Sequence, residues 1–269
     1  MQAVIDEFRA NNGRVGGWFA GARLLLLTTT GARSGRRHTV VLGYLPDGGE
    51  RVLVIGSAGG SPKAPAWFHN LRAHPVVTVE DGTFTYEATA VELTGAQRDE
   101  AFRRAAEANP GWSAYEADSG RTLPVVALVP IPGPPRTRAD GPGEMLKLVH
   151  DAFRRELEII RAEVDQQGAG LGAQLRVNCL SLCAGLRGHH VREDEGLFPW
   201  VASQHPDLAD AMALLRDQHE RMAALIEELA VVLADPGLDA ATLRAEVDRL
   251  TTQVLDHLDY EERVLIPRL

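Results

Sequence analysis

The chain has 269 residues, 45% hydrophobic and 24% charged, with a mean hydropathy of −0.14 and a formal net charge of −9. At roughly 150 residues per domain this is close to two domains of ordinary globular composition. The acidic balance argues against nonspecific nucleic-acid binding, and no apolar run approaches the ~18–20 residues of a membrane span. Two cysteines, Cys179 and Cys183, are too few for a disulfide framework and fit a reducing, cytoplasmic setting. Asp6 and Glu7 near the start do not read as a signal peptide.

The charge is unevenly spread. Residues 1–132 hold 13 Lys and Arg against 13 Asp and Glu, whereas residues 144–269 hold 13 against 23. Between them lies Gly133-Pro134-Pro135-Arg136-Thr137-Arg138-Ala139-Asp140-Gly141-Pro142-Gly143. Prolines and glycines at this density neither continue a helix nor sit in a central strand, so residues 133–143 read as a linker between domains at 1–132 and 144–269.

In the first domain, Val4–Ala10 reads as a short amphipathic helix ended by Gly13, Gly16 and Gly17. Apolar, β-branched runs then alternate with turn residues. Leu24–Thr30 stops at Gly31, Val40–Leu45 at Pro46-Asp47-Gly48-Gly49, Arg51–Ser57 at Gly59-Gly60, and Val76–Glu80 at Asp81-Gly82. Thr83–Leu93 and Pro124–Ile131 complete the set, with helical patterns at Ala64–Ala73 and Ala96–Ala108. About six strands with tight hairpins predict a small antiparallel barrel.

Two of its turns carry chemistry. Thr28-Thr29-Thr30-Gly31-Ala32-Arg33-Ser34-Gly35-Arg36-Arg37 joins hydroxyls and three guanidiniums to a glycine turn, and Ser57-Ala58-Gly59-Gly60-Ser61-Pro62-Lys63 adds a cation. Backbone N–H groups and guanidinium forks of this kind suit phosphate or carboxylate. The plainer alternative is two solvated hairpin turns. Phe8–Gly17, Leu25–Gly35, Gly59–Pro75 (with Pro65-Ala66-Trp67-Phe68-His69-Asn70-Leu71) and Arg121–Val126 together resemble the deazaflavin-dependent nitroreductase family, in order and spacing, over residues 1–132. The resemblance implies a split β-barrel of FMN-binding type that holds coenzyme F420, whose reduced form delivers hydride. It implies that Arg33, Ser34, Arg36, Lys63 and Trp67 bind the cofactor, and that Trp112 and Tyr115 lie over the substrate side as catalytic residues. Ala32, His38 and Val41 depart from the family's usual turn, which leaves FMN or FAD as the alternative occupant.

Residues 144–269 are rich in Leu, Ala, Glu and Arg at helical spacing. Segments at about 143–166, 172–200, 207–234 and 239–266 are separated by Gly168/Gly170/Gly172, by Pro199 with Pro206, and by Pro236-Gly237. Short connections predict an up-down four-helix bundle, making the whole chain α+β. The bundle contains a chemical repeat. His189-x3-Glu193-x3-Leu197-Phe198-Pro199 recurs as His257-x3-Glu261-x3-Leu265-Ile266-Pro267, and the preceding helix of each pair contributes His150 or His219. Residues i and i+4 share one helix face, so each His–Glu pair points the same way. A lone His-x3-Glu is usually an exposed pair. Four histidines and two glutamates in register are different, because facing a bundle core without a cation they would cost several kcal/mol. Four imidazoles with two bridging carboxylates suit a pair of cations, iron first, with manganese or zinc as alternatives. His190 and Asp194 read as outer-sphere or surface groups, Glu195 and Glu262 as solvated, and Cys179 and Cys183 as buried small hydrophobes.

This pattern resembles the hemerythrin-like (HHE cation-binding) family over residues 144–269. The resemblance implies two Fe ions in a non-haem di-iron site on His150, His189, Glu193, His219, His257 and Glu261, with an open position for O2, NO or peroxide. Three functional readings follow. An oxidoreductase passes electrons from reduced F420 through the di-iron site to O2, NO or peroxide. Alternatively, an F420-dependent reductase of quinones or nitro compounds, with Tyr115 or a water as proton donor, carries an O2- or iron-sensing bundle. The third is a pure binding protein. Small molecules are the expected partners in each case, with no nucleic acid, no membrane span, and a homodimer as one arrangement.

Overall fold

The structure is a computed structural model that describes residues 1–166, 172–235 and 237–269. Gly168, Gly170 and Pro236, expected as helix breakers, lie outside the described residues. The chain forms two compact units, residues 1–138 with 172–178 in one and the rest in the other.

In the first unit, helix α1 (Gln2–Ala10) is followed by strands β1 (Leu24–Thr30), β2 (Arg37–Pro46) and β3 (Val52–Ile55). Helix α2 (Ala66–Ala73), strands β4 (Val76–Glu80) and β5 (Thr85–Glu92), helices α3 (Gly95–Ala108) and α4 (Gly111–Ser119) and strand β6 (Val125–Pro130) complete it. Among the described residues the strands close into one barrel in the order β1-β2-β3-β6-β5-β4, every pairing antiparallel. The run Leu24–Leu27 is explained by burial on both strand faces. Leu25 and Leu27 join Trp67, Phe68 and Leu71 of α2 in one core, while Leu24 and Leu26 pack against Ile5 and Phe8 of α1. Strand β6 repeats the device, with Val126 and Leu128 in the first core and Val125 and Ala127 against Phe102 of α3.

Three local features differ from the sequence expectation. Strand β2 begins at Arg37 rather than Val40, because the three threonines of β1 pair with Arg37, His38 and Thr39. Helix α4 is not predicted by the sequence pattern; it starts beside Pro110 and ends on Gly120 in the left-handed region (φ 62°). Arg136 is not free linker, since its backbone exchanges hydrogen bonds of 2.8 and 2.9 Å with Thr85 of β5. Gly82 has a steric duty at the β4–β5 hairpin. Its φ is +98°, and a Cβ there would lie 2.5 Å from the Asn12 carbonyl oxygen.

The second unit is helical. Its helices are α5 (Pro142–Asp165), α6 (Ala173–Arg192, from Cys179 onward), α7 (Phe198–Gln204), α8 (Ala209–Ala234) and α9 (Ala240–Leu265). Pro142 opens α5 instead of breaking it, since the first helical position needs no N–H donor. Ion pairs Arg161–Asp248 and Arg244–Asp165 run in descending order along α5 and α9, which are therefore antiparallel. The expected segment 172–200 is not one regular helix. A π-turn at Glu193–Leu197 separates α6 from α7, just ahead of Pro199, which lacks the N–H needed to continue a regular ladder. Leu146, Phe198, Val201, Met212, Leu215 and Leu265 form a core beside the polar level.

Candidate metal centre and cofactor face

Helix α5 carries His150, α6 carries His189 and His190, and the π-turn begins with Glu193. Helix α8 carries His219, and α9 carries His257 and Glu261. All seven side chains are buried, each at 6% exposure or less. The i,i+4 pairs meet as the spacing predicts, with His189 Nε2 3.1 Å from Glu193 Oε1 and His257 Nε2 3.4 Å from Glu261 Oε2. Across helices, His150 Nε2 lies 3.5 Å from Glu261 and His219 Nε2 lies 3.7 Å from Glu193.

The outward nitrogens of three imidazoles are already engaged. His150 Nδ1 is 3.0 Å from Glu262 Oε1, His219 Nδ1 is 3.0 Å from Asp194 Oδ1, and His257 Nδ1 is 2.9 Å from Gln218 Oε1. Each oxygen is an acceptor, so each Nδ1 donates and each Nε2 presents a lone pair inward. The result is a set of acceptors facing acceptors. His219 Nε2 and His257 Nε2 stand 3.2 Å apart, both with inward lone pairs. Nε2 of His150, His189 and His190 and both oxygens of Glu193 and Glu261 are buried without a hydrogen-bond partner. Such groups are costly unless a cation satisfies them, and imidazole nitrogens backed by acceptors, with carboxylates between, are the donor set for two transition-metal ions. The residues fit the metal pair.

The protonation pattern reflects the same strain. Burial, with His150 adjacent, pushes His189 down to about 3, and burial with His219 adjacent pushes His190 down to about 2. Burial opposite Glu261 drives the Glu193 carboxyl well above the usual carboxylate range. Burial opposes ionisation of Glu261 as well, yet His150 and His257, once protonated at Nε2 so that they donate to it, hold it below the usual carboxylate range. Glu262, though desolvated, is held at about 2 by His150 and Arg154, whose guanidinium donates to it at 2.6 Å.

The structure decides two readings that the sequence left loose. Of the two alternatives for His190, outer-sphere or surface group, burial excludes the second, since its ring stacks inside the cluster on His219 with centroids 4.2 Å apart. Glu262 is not merely solvated, because it orients His150. Asp194 serves His219 from outside the ligand set.

On the barrel, the Gly31–Gly35 turn is tied to α2: Ala32 N–H donates to Asn70 Oδ1 at 3.0 Å and Asn70 Nδ2 donates to Thr29 Oγ1 at 3.0 Å. Ser34 Oγ accepts from Arg36 N–H and lies 3.3 Å from His38 Nε2. Arg33, Arg36 and Lys63 are exposed and make no ion pair among the described residues, leaving their charges available to an anion. The Lys63 loop runs directly into α2, so both turns converge on this helix. Trp67 points instead into the barrel core, 6% exposed, and contributes packing rather than an open ring face. Trp112 and Tyr115 meet edge to face at 6.2 Å on α4, against the Ala58–Gly60 turn. Sequence reasoning missed Arg121 as a clamp. Its guanidinium donates to the carbonyls of Gly56, Ser57 and Ser61 at 2.8–3.1 Å and fixes the loop that ends in Lys63. Its only sequence signal was membership of the matching Arg121–Val126 segment.

Comparison with known proteins gives these two halves their class. Residues 1–130 match the F420H(2)-dependent quinone reductase family, and residues 142–269 match the hemerythrin HHE cation binding domain. The F420H(2)-dependent quinone reductase of Mycobacterium tuberculosis is 36% identical over 125 residues, covering 45% of this chain and 83% of that one. A further putative F420H(2)-dependent quinone reductase of the same species is 27% identical over 106 residues, covering 39% of this chain and 88% of its own length. A solved F420-H2 dependent reductase, FDR-A, shares 36% identity with a TM-score of 0.36, covering 39% of this chain and 93% of that chain. The chain belongs to the F420H(2)-dependent quinone reductase family through its barrel and continues into a hemerythrin-like domain.

Proposed function

We propose that this protein is an F420H2-dependent quinone reductase whose helical domain carries a non-haem di-iron centre for O2, NO or peroxide. The observation that carries the first part is the convergence on α2 of two cation-bearing turns, in a barrel that aligns with most of the length of a quinone reductase. F420, when bound in its reduced form, supplies a hydride. Arg33, Ser34 and Arg36 on one turn and Lys63 on the other hold its anionic portion by charge-assisted hydrogen bonds. A quinone that accepts one hydride and one proton becomes a hydroquinone, so the two-electron donor and acceptor match. Tyr115, 40% exposed on α4, is the proton donor at the quinone oxygen, and Trp112 beside it shapes the face on which the ring lies.

In the bundle, two irons would supply one-electron chemistry and an open coordination position. His150, His189, Glu193, His219, His257 and Glu261 hold them, and Glu262, Asp194 and Gln218 fix the imidazole orientations. Because the hydride donor and the quinone acceptor both exchange two electrons, reduction on the barrel needs no one-electron carrier. The test is anaerobic oxidation of reduced F420 by menadione, followed by the return of the oxidised deazaflavin absorbance. Tyr115→Phe should lower turnover by about a hundred- to ten-thousandfold, while His219→Ala leaves it unchanged. Loss of quinone turnover in His219→Ala would show instead that electrons pass through the bundle, and absence of turnover in the intact protein would overturn the reductase reading.

A further inference from the structure

The core built around Leu25, Leu27 and α2 draws on all six strands and so fills the inside of the barrel. Leu24 and Leu26 face the other way, onto α1. Side chains alternate along a strand, so Thr28 stands on that outer face. Register sets Thr39 and Thr78 beside Thr28, Glu80 beside Leu26 and Thr85 beside Glu80, all on the same face. Arg37, two residues before Thr39, shares it. The sequence groups Arg37 with Arg33 and Arg36 in one turn, but the structure sends its guanidinium to Thr78 Oγ1, at 2.5 Å. With Arg9 of α1 and Arg136, these residues line a cleft of about 520 Å³ on the outside of the barrel.

The cleft is rich in donors. Its carboxylate, Glu80, is already held by Arg9 through two hydrogen bonds at 2.8 and 2.5 Å. Arg37 and Arg136 have no ion pair among the described residues, which leaves a net charge of +2. Thr78 accepts from Arg37 and keeps its own hydroxyl hydrogen to give. Thr28 and Thr39 share one hydrogen bond at 2.8 Å, which uses one of their two hydroxyl hydrogens and leaves the other.

We infer that this outer cleft binds a phosphoryl group, carried by inorganic phosphate or by a small phosphomonoester, between Arg37 and Arg136. It is a second anion site, separate from the two turns that converge on α2, and stands whether or not the barrel reduces quinones. A phosphomonoester carries about −1.5 to −2 at neutral pH, which two guanidiniums match, and its three oxygens can accept from donors on β1, β2 and β4 together. A planar carboxylate has one charge and two oxygens, and fills such a site less well.

The experiment is an NMR titration of the full-length protein, its threonine methyls isotope-labelled, with inorganic phosphate, glycerol 3-phosphate and acetate at constant ionic strength. The methyl signals of Thr28, Thr39 and Thr78 should shift and saturate with the first two, and the tighter of these tells the free ion from the ester as the source. Acetate should bind about tenfold more weakly or worse. Arg37→Gln and Arg136→Gln should each raise the dissociation constant about tenfold or more, with unchanged circular dichroism, and Arg33→Gln should leave it in place. Shifts that grow linearly without saturating, or acetate binding as tightly as phosphate, would overturn the assignment. So would shifts that disappear in Arg33→Gln but persist in Arg37→Gln, because the ion would then sit at the Gly31–Gly35 turn. If Arg37→Gln does not fold, Arg136→Gln and the wild-type titration decide, since the backbone pairing of Arg136 with Thr85 does not depend on its side chain.

Discussion

At the scale of single residues, the centre is organised by exchange between helices. Each acceptor that fixes an imidazole is the sequence neighbour of one ligand but serves a ligand on another helix. Glu262 follows Glu261 and holds His150, Asp194 follows Glu193 and holds His219, and Gln218 precedes His219 and holds His257. The two His–Glu pairs of the candidate site were legible because i,i+4 spacing is a property of one helix. Their supports were not, because pairing across helices depends on which faces meet, and a residue one step from a ligand reads as surface. Glu262→Ala removes both the acceptor for His150 and the partner of Arg154. It should weaken metal binding by about 10- to 100-fold, measured by competition with a chromophoric chelator, and leave the rate of quinone reduction unchanged.

At the scale of elements, periodicity located most of the barrel's strands and the long helices, because each turns part of its residues toward a core and that part repeats with the structure's own period. It failed where another element decides the conformation. The start of β2 is set by the threonines of β1, and α4 has too little amphipathic pattern to announce itself. The interruption at Glu193–Leu197 likewise does not show in the spacing of His189 and Glu193, which reaches only its first residue. The same helix supplies a pH prediction. Burial raises the Cys183 thiol from 9.0 to about 11. Between these values the unfolded thiol loses its proton while the folded one keeps it, so the unfolded state is favoured as pH rises. The urea midpoint of the wild type should therefore fall more steeply from pH 8.5 to 10.5 than that of Cys183→Ala. Ellman's reagent should leave Cys183 unlabelled at pH 8 until the chain unfolds.

For the whole molecule, the proposed function gives the two halves different ligands. An ion that binds only the folded bundle stabilises it by mass action, about 2.7 kcal/mol when present at a hundred times its dissociation constant. Stripping metal with a strong chelator should lower the helical unfolding transition in calorimetry, and readdition of Fe(II) under anaerobic conditions should restore it. Oxidation of reduced F420 by quinone should be insensitive to the chelator. A lowered reductase rate after stripping would link the two chemistries.

The backbone pairing of Arg136 with Thr85 bears on how this protein should be dissected. A gene cut after codon 132, where composition changes, would delete the residue that answers Thr85 and leave an amide and a carbonyl on β5 without their partner. A fragment ending at Arg138 keeps that bridge, so the longer fragment should express as the better-behaved isolated reductase.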